Sequence, residues 1–302
     1  MATSLMTRVK ARVDLHTSNR ARGLIQGRGK SLFKGSGEDF DDLKYYQPGG
    51  DKISDIDWKA TARSGEPLIR QFNEERVRHL SIVADTSSAM AATAADGTSK
   101  RDAMVMAAGL ICFLGQKNGD LVGGLVGGSQ ERPIQLPPSR SSDGHLELLL
   151  RSIQQGGATT ASSAPDSSWL LERAFRVTTR STLMTIITDE AHPRVEDFSL
   201  LRRLTTRHDV LMIRIADADP LLSEDLGHEV VDVLDPREIA ELARTSRRVR
   251  RDVEAYRRAR TDGISEMLDR LHISHVLTQG ESTVVEDMVS MLRSREYRHA
   301  HA

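Results

Sequence analysis

The chain has 302 residues, with 42 Lys and Arg nearly cancelling 43 Asp and Glu for a formal net charge of −1. At 28% charged and 38% hydrophobic it has a globular composition, and the lack of a basic field gives no reason to expect a nucleic-acid partner. The longest apolar run, Ala103 to Leu114, is 12 residues, short of the roughly 20 that cross a bilayer; with no secretory signal and a single cysteine, Cys112, the reading is a cytoplasmic protein without a transmembrane segment, a disulfide framework or a Cys-based metal site.

Charge is unevenly placed along the chain. Residues 1–28 read as a basic N-terminal arm. Up to Lys34 the basic residues are Arg8, Lys10, Arg12, Arg20, Arg22, Arg28, Lys30 and Lys34, with Asp14 the one acid. From Gly35 to Asp57 the sign reverses, with Glu38, Asp39, Asp41, Asp42, Asp51, Asp55 and Asp57 against Lys44 and Lys52. Six of the twelve aromatics (Phe33, Phe40, Tyr45, Tyr46, Trp58, Phe72) fall in the same region. Aromatics are costly to leave wet and enrich cores and interfaces, so residues 29–78 read as an ordered aromatic and acidic module or a docking surface. Its candidate partner-binding residues are Asp41, Asp42, Tyr45, Tyr46, Asp57 and Trp58. Trp58, between Asp57 and Lys59 in a short extended stretch, is expected to anchor this module against the rest of the chain.

From His79 strand and helix signals alternate. His79–Ala84 is a strand, Arg101–Lys117 an apolar helix, Asp120–Val126 and Glu131–Leu136 strands, and Pro137–Ser142 a Ser/Pro-rich loop. Asp143–Gln155 and Ser167–Arg176 are helices, Ser181–Thr188 a buried strand, Glu196–Thr206 a helix and Val210–Ile215 a strand. Glu229–Leu234 is strand-like, Pro236–Arg260 and Gly263–Leu271 are helical, Ile273–Thr278 is the last strand, and Ser282–Arg293 closes the chain. Strands separated by helices predict an α/β fold with a doubly wound, mostly parallel sheet over residues 79–298.

In such a sheet ligands bind beyond the carboxyl ends of the strands, where strand order reverses. The strand from His79 runs into Asp85-Thr86-Ser87-Ser88-Ala89, and the strand from Ser181 into Asp189-Glu190. If these strands are neighbours, both aspartates and the Ser87 hydroxyl meet in one crevice, and such oxygens suit Mg²⁺.

Asp85-Thr86-Ser87-Ser88-Ala89 after an apolar strand resembles the Asp-x-Ser-x-Ser metal-ion-dependent adhesion motif of von Willebrand factor A domains. Upstream, Gly37-Glu38-Asp39-Phe40-Asp41-Asp42-Leu43, Tyr46-Gln47-Pro48-Gly49-Gly50-Asp51, Ile56-Asp57-Trp58-Lys59-Ala60-Thr61-Ala62-Arg63 and Phe72-Asn73-Glu74-Glu75-Arg76 resemble the family catalogued as domain of unknown function 58. The resemblance implies a von Willebrand factor A-like, Rossmann-type domain and a Mg²⁺ site of Asp85, Ser87, Thr159 and Asp189. Two positions depart from it. Ala89 stands where a third serine belongs, and the Gly-Gly-Thr turn reads Gly156-Gly157-Ala158-Thr159-Thr160, so the metal site is weakened or absent.

Other signals are weaker. Gly29-Lys30-Ser31 lacks the earlier glycine of a phosphate-binding loop. Ser87 stands where an aspartyl phosphotransferase needs its second Asp. His272 and His275 fall on opposite faces of a strand, and the eight arginines from Arg244 to Arg260 read as a solvated helix face. The resemblance implies a non-catalytic protein-binding module that works with a MoxR-class AAA+ ATPase and a client. The alternative is a Mg²⁺-dependent phosphohydrolase using Asp85 and Asp189, with Glu190 as base.

Overall fold

The structure is a computed structural model, which describes residues 4–16, 40–46, 56–72, 78–128, 133–140, 142–156, 167–219 and 246–300. They fall into two compact units, Phe33–Val77 and the combination of Met1–Leu32 with Arg78–Ala302.

In the smaller unit β1 (Phe40–Tyr45) pairs antiparallel with β2 (Leu68–Phe72). Between them Trp58–Ser64 is a helix, α2, and not the extended stretch expected. Its ends explain why. The Asp57 carboxylate accepts the N–H groups of Lys59 and Ala60 at 2.9 and 3.0 Å, satisfying donors that a first turn leaves orphaned. Gly65 ends the helix in the left-handed region, at φ +81°, and returns its N–H to the Thr61 carbonyl.

The larger unit is built on one six-stranded sheet in the order β5-β4-β3-β6-β7-β8. Its strands are β3 (His79–Asp85), β4 (Leu121–Gly127), β5 (Ile134–Arg140), β6 (Leu183–Asp189), β7 (Asp209–Ile215) and β8 (Ser274–Thr278). All neighbours run parallel except β4 and β5. β5 passes through Pro137 and Pro138, which were expected to lie in a loop. As an edge strand it has one side without ladder bonds, where missing N–H groups are tolerated.

Helix α3 (Lys100–Lys117) contacts α1 (Leu5–His16), α4 (Asp143–Gln155) and α8 (Val284–Ala300), and α1 contacts α4 and α8 as well. A second cluster joins Leu170, Leu171 and Ala174 of α5 (Ser167–Val177), Leu201 and Leu204 of α6 (Phe198–Thr205), and Ile264, Met267 and Leu268 of α7 (Arg247–Arg270) with Val83, Met184, Ile186 and Met212 of the strands. Gly263 lies inside α7 and does not divide it, because a single glycine costs a helix only about 1 kcal/mol. The strand at Glu229–Leu234 and the helical stretch before Ser246 lie outside the described residues.

The start of the basic arm, residues 5–16, is the helix α1, with Met6, Val9 and Val13 buried. It lies on α3 where Gly109 has no side chain; a Cβ there would come within 2.4 Å of Val9 Cγ2. Its first turn is fastened by Glu147, whose carboxylate accepts from the Ser4 hydroxyl and from the N–H groups of Leu5 and Met6. Burial opposes ionisation of Glu147, but these bonds outweigh it and hold its pKa below the usual carboxylate range.

His208, just before β7, is buried with neither ring nitrogen hydrogen-bonded. Burial, reinforced by the Arg207 charge, pushes its pKa down to about 4 from 6.5. A histidine depressed on folding contributes stability that is complete above its unfolded pKa and lost as pH falls toward the folded one. His208→Leu is therefore expected to flatten the fall of the urea midpoint between about pH 6.5 and 4. An equally steep fall in the variant would assign that loss to another group.

Candidate functional site

Strand order reverses between β3 and β6, which pair in register from Leu80 with Leu183 to Ala84 with Ile187. That register brings Asp85 and Asp189 to one end of the sheet, as expected if the two strands were neighbours. Both are buried. Asp85 Oδ1 accepts the Ser87 N–H and Oδ2 accepts the Thr188 hydroxyl, each at 2.9 Å. It backs onto a small pocket lined by Leu170, Leu171, Ile186, Pro193 and Met212. Burial raises the Asp85 pKa, against the pull of those hydrogen bonds. The Ser87 Oγ is buried without a hydrogen-bond partner. Gly128 at the end of β4 lets that strand close on this turn, since a Cβ there would stand 2.8 Å from Ser87 Cα.

Asp189 has a partner that the sequence reading did not include. Lys100, the first residue of α3 and fully buried, pairs its ammonium with both Asp189 and Asp217. The other Asp189 oxygen accepts the Ala191 N–H at 2.7 Å. Burial disfavours the Lys100 ammonium, but the two carboxylates outweigh that and hold its pKa above the ordinary lysine value. One ammonium shared by two carboxylates leaves both short of positive charge. Asp217, 34% exposed, is pushed up to about 6, by burial first and then by the Asp189 charge.

Glu190, the base in the phosphohydrolase alternative, is held in a second ion cluster. Its Oε1 receives Arg257 at 3.1 Å and Arg260 at 2.7 Å, and its Oε2 receives the Asp217 N–H at 3.1 Å. Arg257 also donates to the Asp217 carbonyl at 3.0 Å. These two arginines correct the reading of Arg244–Arg260 as a wholly solvated face: they turn inward because a buried carboxylate needs counter-charge.

Lys100, Asp217, Arg257 and Arg260 are thus site residues that sequence reasoning missed. A lysine at the positive end of a helix dipole, with Arg101 and Asp102 between it and the apolar run, was the available signal for an acidic partner. Asp217 follows β7 as Asp189 ends β6, so the strand-end rule reaches it too. His192, next to this turn, is buried with Nδ1 unpartnered.

Thr159 and Thr160 lie outside the described residues. Gly156, where their turn begins, packs on Thr86, since a Cβ there would come within 2.7 Å of Thr86 Cγ2. Asp41 and Asp42 lie on β1, and their side chains are outside the described residues. Tyr45 is 64% exposed and Trp58 66%. Asp57 serves as the cap of α2.

The described residues, which do not include Thr159, do not by themselves fit a Mg²⁺ ion. The Asp189 carboxylate is committed to Lys100 and Ala191, Ala89 supplies no oxygen, and among the described residues no group of three or more His, Cys, Asp or Glu could hold a metal. An octahedral oxygen shell needs more than Asp85 and Ser87 offer.

Sheet order, flanking helices and the strand-end crevice define the larger unit as an α/β domain of the von Willebrand factor A-like type. The chain belongs to the family described as "Protein of unknown function DUF58", which matches residues 42–262. Among curated proteins it is similar to "Uncharacterized protein Rv1480" of Mycobacterium tuberculosis and "Uncharacterized protein Mb1516" of Mycobacterium bovis. Each is 28% identical over 222 residues, which cover 72% of this chain and 68% of the relative. Among solved structures it is similar to BatB from Bacteroides thetaiotaomicron, with a TM-score of 0.46 and 13% identity over 73% of this chain and 99% of that one. An aerotolerance-related membrane protein from Bacteroides fragilis gives 0.45 and 14%, covering 72% and 99%. A von Willebrand factor type A protein from Catenulispora acidiphila gives 0.39 and 13%, covering 76% and 44%.

The Bacteroides fragilis protein, described as a membrane protein, corrects the cytoplasmic placement read from the sequence. Among the described residues no helix is long and apolar enough to cross a membrane. That property belongs to those segments and assigns no compartment.

Proposed function

We propose that the chain is a non-catalytic protein-binding module, an adaptor of a MoxR-class AAA+ ATPase, and that it engages its partner at the crevice of Asp85, Ser87 and Asp189. The observation that carries this reading is how fully the charged groups of the crevice are engaged. Asp85 is hydrogen-bonded at both oxygens, Asp189 is paired with Lys100, and Glu190 is held by Arg257 and Arg260. A phosphohydrolase would need Glu190 free as a base and the aspartates free for metal, so the same contacts argue against the alternative. The exposed edge of Asp217 remains for a partner to meet. The ATPase as partner rests on the resemblance of the upstream blocks. The exposed Tyr45 and Trp58 offer a second contact patch, aromatics being favoured at interfaces.

The test is capture of the MoxR-class ATPase from the same organism by the full chain, its Asp85→Asn variant and a Tyr45→Ser, Trp58→Ser variant. Capture by wild type that Asp85→Asn abolishes is the expected result. Loss only in the aromatic variant would move the interface to the smaller unit, and no capture by wild type would refute the ATPase partnership.

A further inference from the structure

We infer that Lys100 takes the place of a divalent cation in this crevice, so that the site works without a metal. The inference rests on the crevice being the binding site, and it specifies how that site is neutralised.

Position is the first argument. A cation at the first residue of a helix faces the positive end of the dipole, and a fully buried ammonium is disfavoured by desolvation. Both penalties are met by two carboxylates, one of which, Asp189, stands at the last position of the adhesion motif.

Rigidity is the second. The loop that aims Lys100 is sewn to the chain after β7, with the Ala95 N–H donating to the Ala216 carbonyl at 3.1 Å and the Ala218 N–H to the Thr93 carbonyl at 3.0 Å. The Lys100 N–H itself donates to the Ala92 carbonyl at 3.2 Å. The ammonium is therefore held between Asp189 and Asp217 by the backbones of two segments.

The third is the donor set. Where a third serine oxygen would complete the motif there is Ala89, which is buried and apolar. A site that has lost an oxygen ligand and gained a tethered positive charge repels a divalent ion and has less to coordinate it with.

A consequence follows for the partner. A metal with an open coordination position attracts a carboxylate, whereas an ammonium already enclosed by two carboxylates has no such position to offer. The group left facing a partner, the carboxylate edge of Asp217, calls for a hydrogen-bond donor or a cationic side chain.

The experiment measures Mn²⁺ uptake by the full chain, using the electron paramagnetic resonance signal of the free ion, with the melting midpoint in Mg²⁺ and in chelator as a second readout. Wild type is expected to leave Mn²⁺ free and to melt alike in both buffers. Lys100→Ala is expected to take up one Mn²⁺ per chain and to melt higher in Mg²⁺ than in chelator. Mn²⁺ uptake by wild type that Asp189→Asn removes would overturn the inference, and so would a folded Lys100→Ala chain that takes up none. If Lys100→Ala does not purify, the Lys100→Ala, Asp217→Asn double variant leaves one unpaired carboxylate in place of two and carries the same test. No partner is present in this measurement, so a failure of ATPase capture and a failure of the lysine assignment are read separately.

Discussion

Lys100→Met is expected to destabilise the chain by about 3–5 kcal/mol, the range found when one member of a buried ion pair is removed and the other is left uncompensated. Methionine keeps the length and apolar stem of lysine and deletes the charge, so the loss reports on Asp189 and Asp217 and not on a cavity. The melting midpoint should fall by roughly 10 °C. Adding Asp189→Asn and Asp217→Asn to Lys100→Met should recover part of the loss, because the triple variant no longer buries unpaired charge. A triple variant as unstable as the single one would show that lysine packing, and not charge balance, was responsible. The pH dependence has a definite sign. Asp217 is pushed up to about 6 even with Lys100 in place, and deleting the ammonium removes what holds it down, so the folded variant takes up a proton above that pH, where the unfolded chain, at about 3.8, does not. Stability of Lys100→Met relative to wild type should therefore improve as pH falls toward about 6 and level off below it, where Asp217 is protonated in both chains.

Val9→Asp is expected to release α1 from the larger unit, at a loss on the order of 3 kcal/mol. Val9 is fully buried, and the helix faces Gly109 at a distance that leaves no room for water or a counter-charge. Undocking hydrates the new carboxylate at the expense of the buried Met6, Val9 and Val13, the contacts to Glu147, and the Arg8 pairing with Glu281 at 2.6 Å. Hydrogen exchange is the direct measurement: the amides of α1 should lose protection throughout, and a lowered urea midpoint should accompany it. Unchanged protection in α1 would show that the helix is held by contacts other than its valine face.

Both predictions concern contacts whose partners no local pattern identifies, and the molecule shows why. The strands β3, β4, β6, β7 and β8 and the helices α3, α4 and α5 were legible because each carries an apolar run or an apolar periodicity of its own. The placing of Asp85 and Asp189 at strand ends was legible as well, but their meeting was conditional on β3 and β6 being neighbours, which the sheet order supplies. β5 was misjudged because Pro137 and Pro138 look like a loop until the strand is known to lie at an edge. Arg257 and Arg260 were misjudged because a run of arginines with Asp252 and Glu254 interspersed looks solvated until Glu190 is placed beside them.

By itself the sequence determined that a doubly wound sheet would form, that Asp85 and Asp189 would lie at its carboxyl edge, and that Ala103–Leu114, apolar on every side, would be enclosed. A helix apolar all round must be buried on both of its faces, but its composition does not say by what. Only the tertiary structure decided that α1, from the far end of the chain, covers it, and that Lys100 turns to Asp189 and Asp217. The physical reason is the same in both cases. Apolar burial and charge pairing act through space between residues roughly a hundred positions apart, and each requires a partner whose identity is set by packing alone.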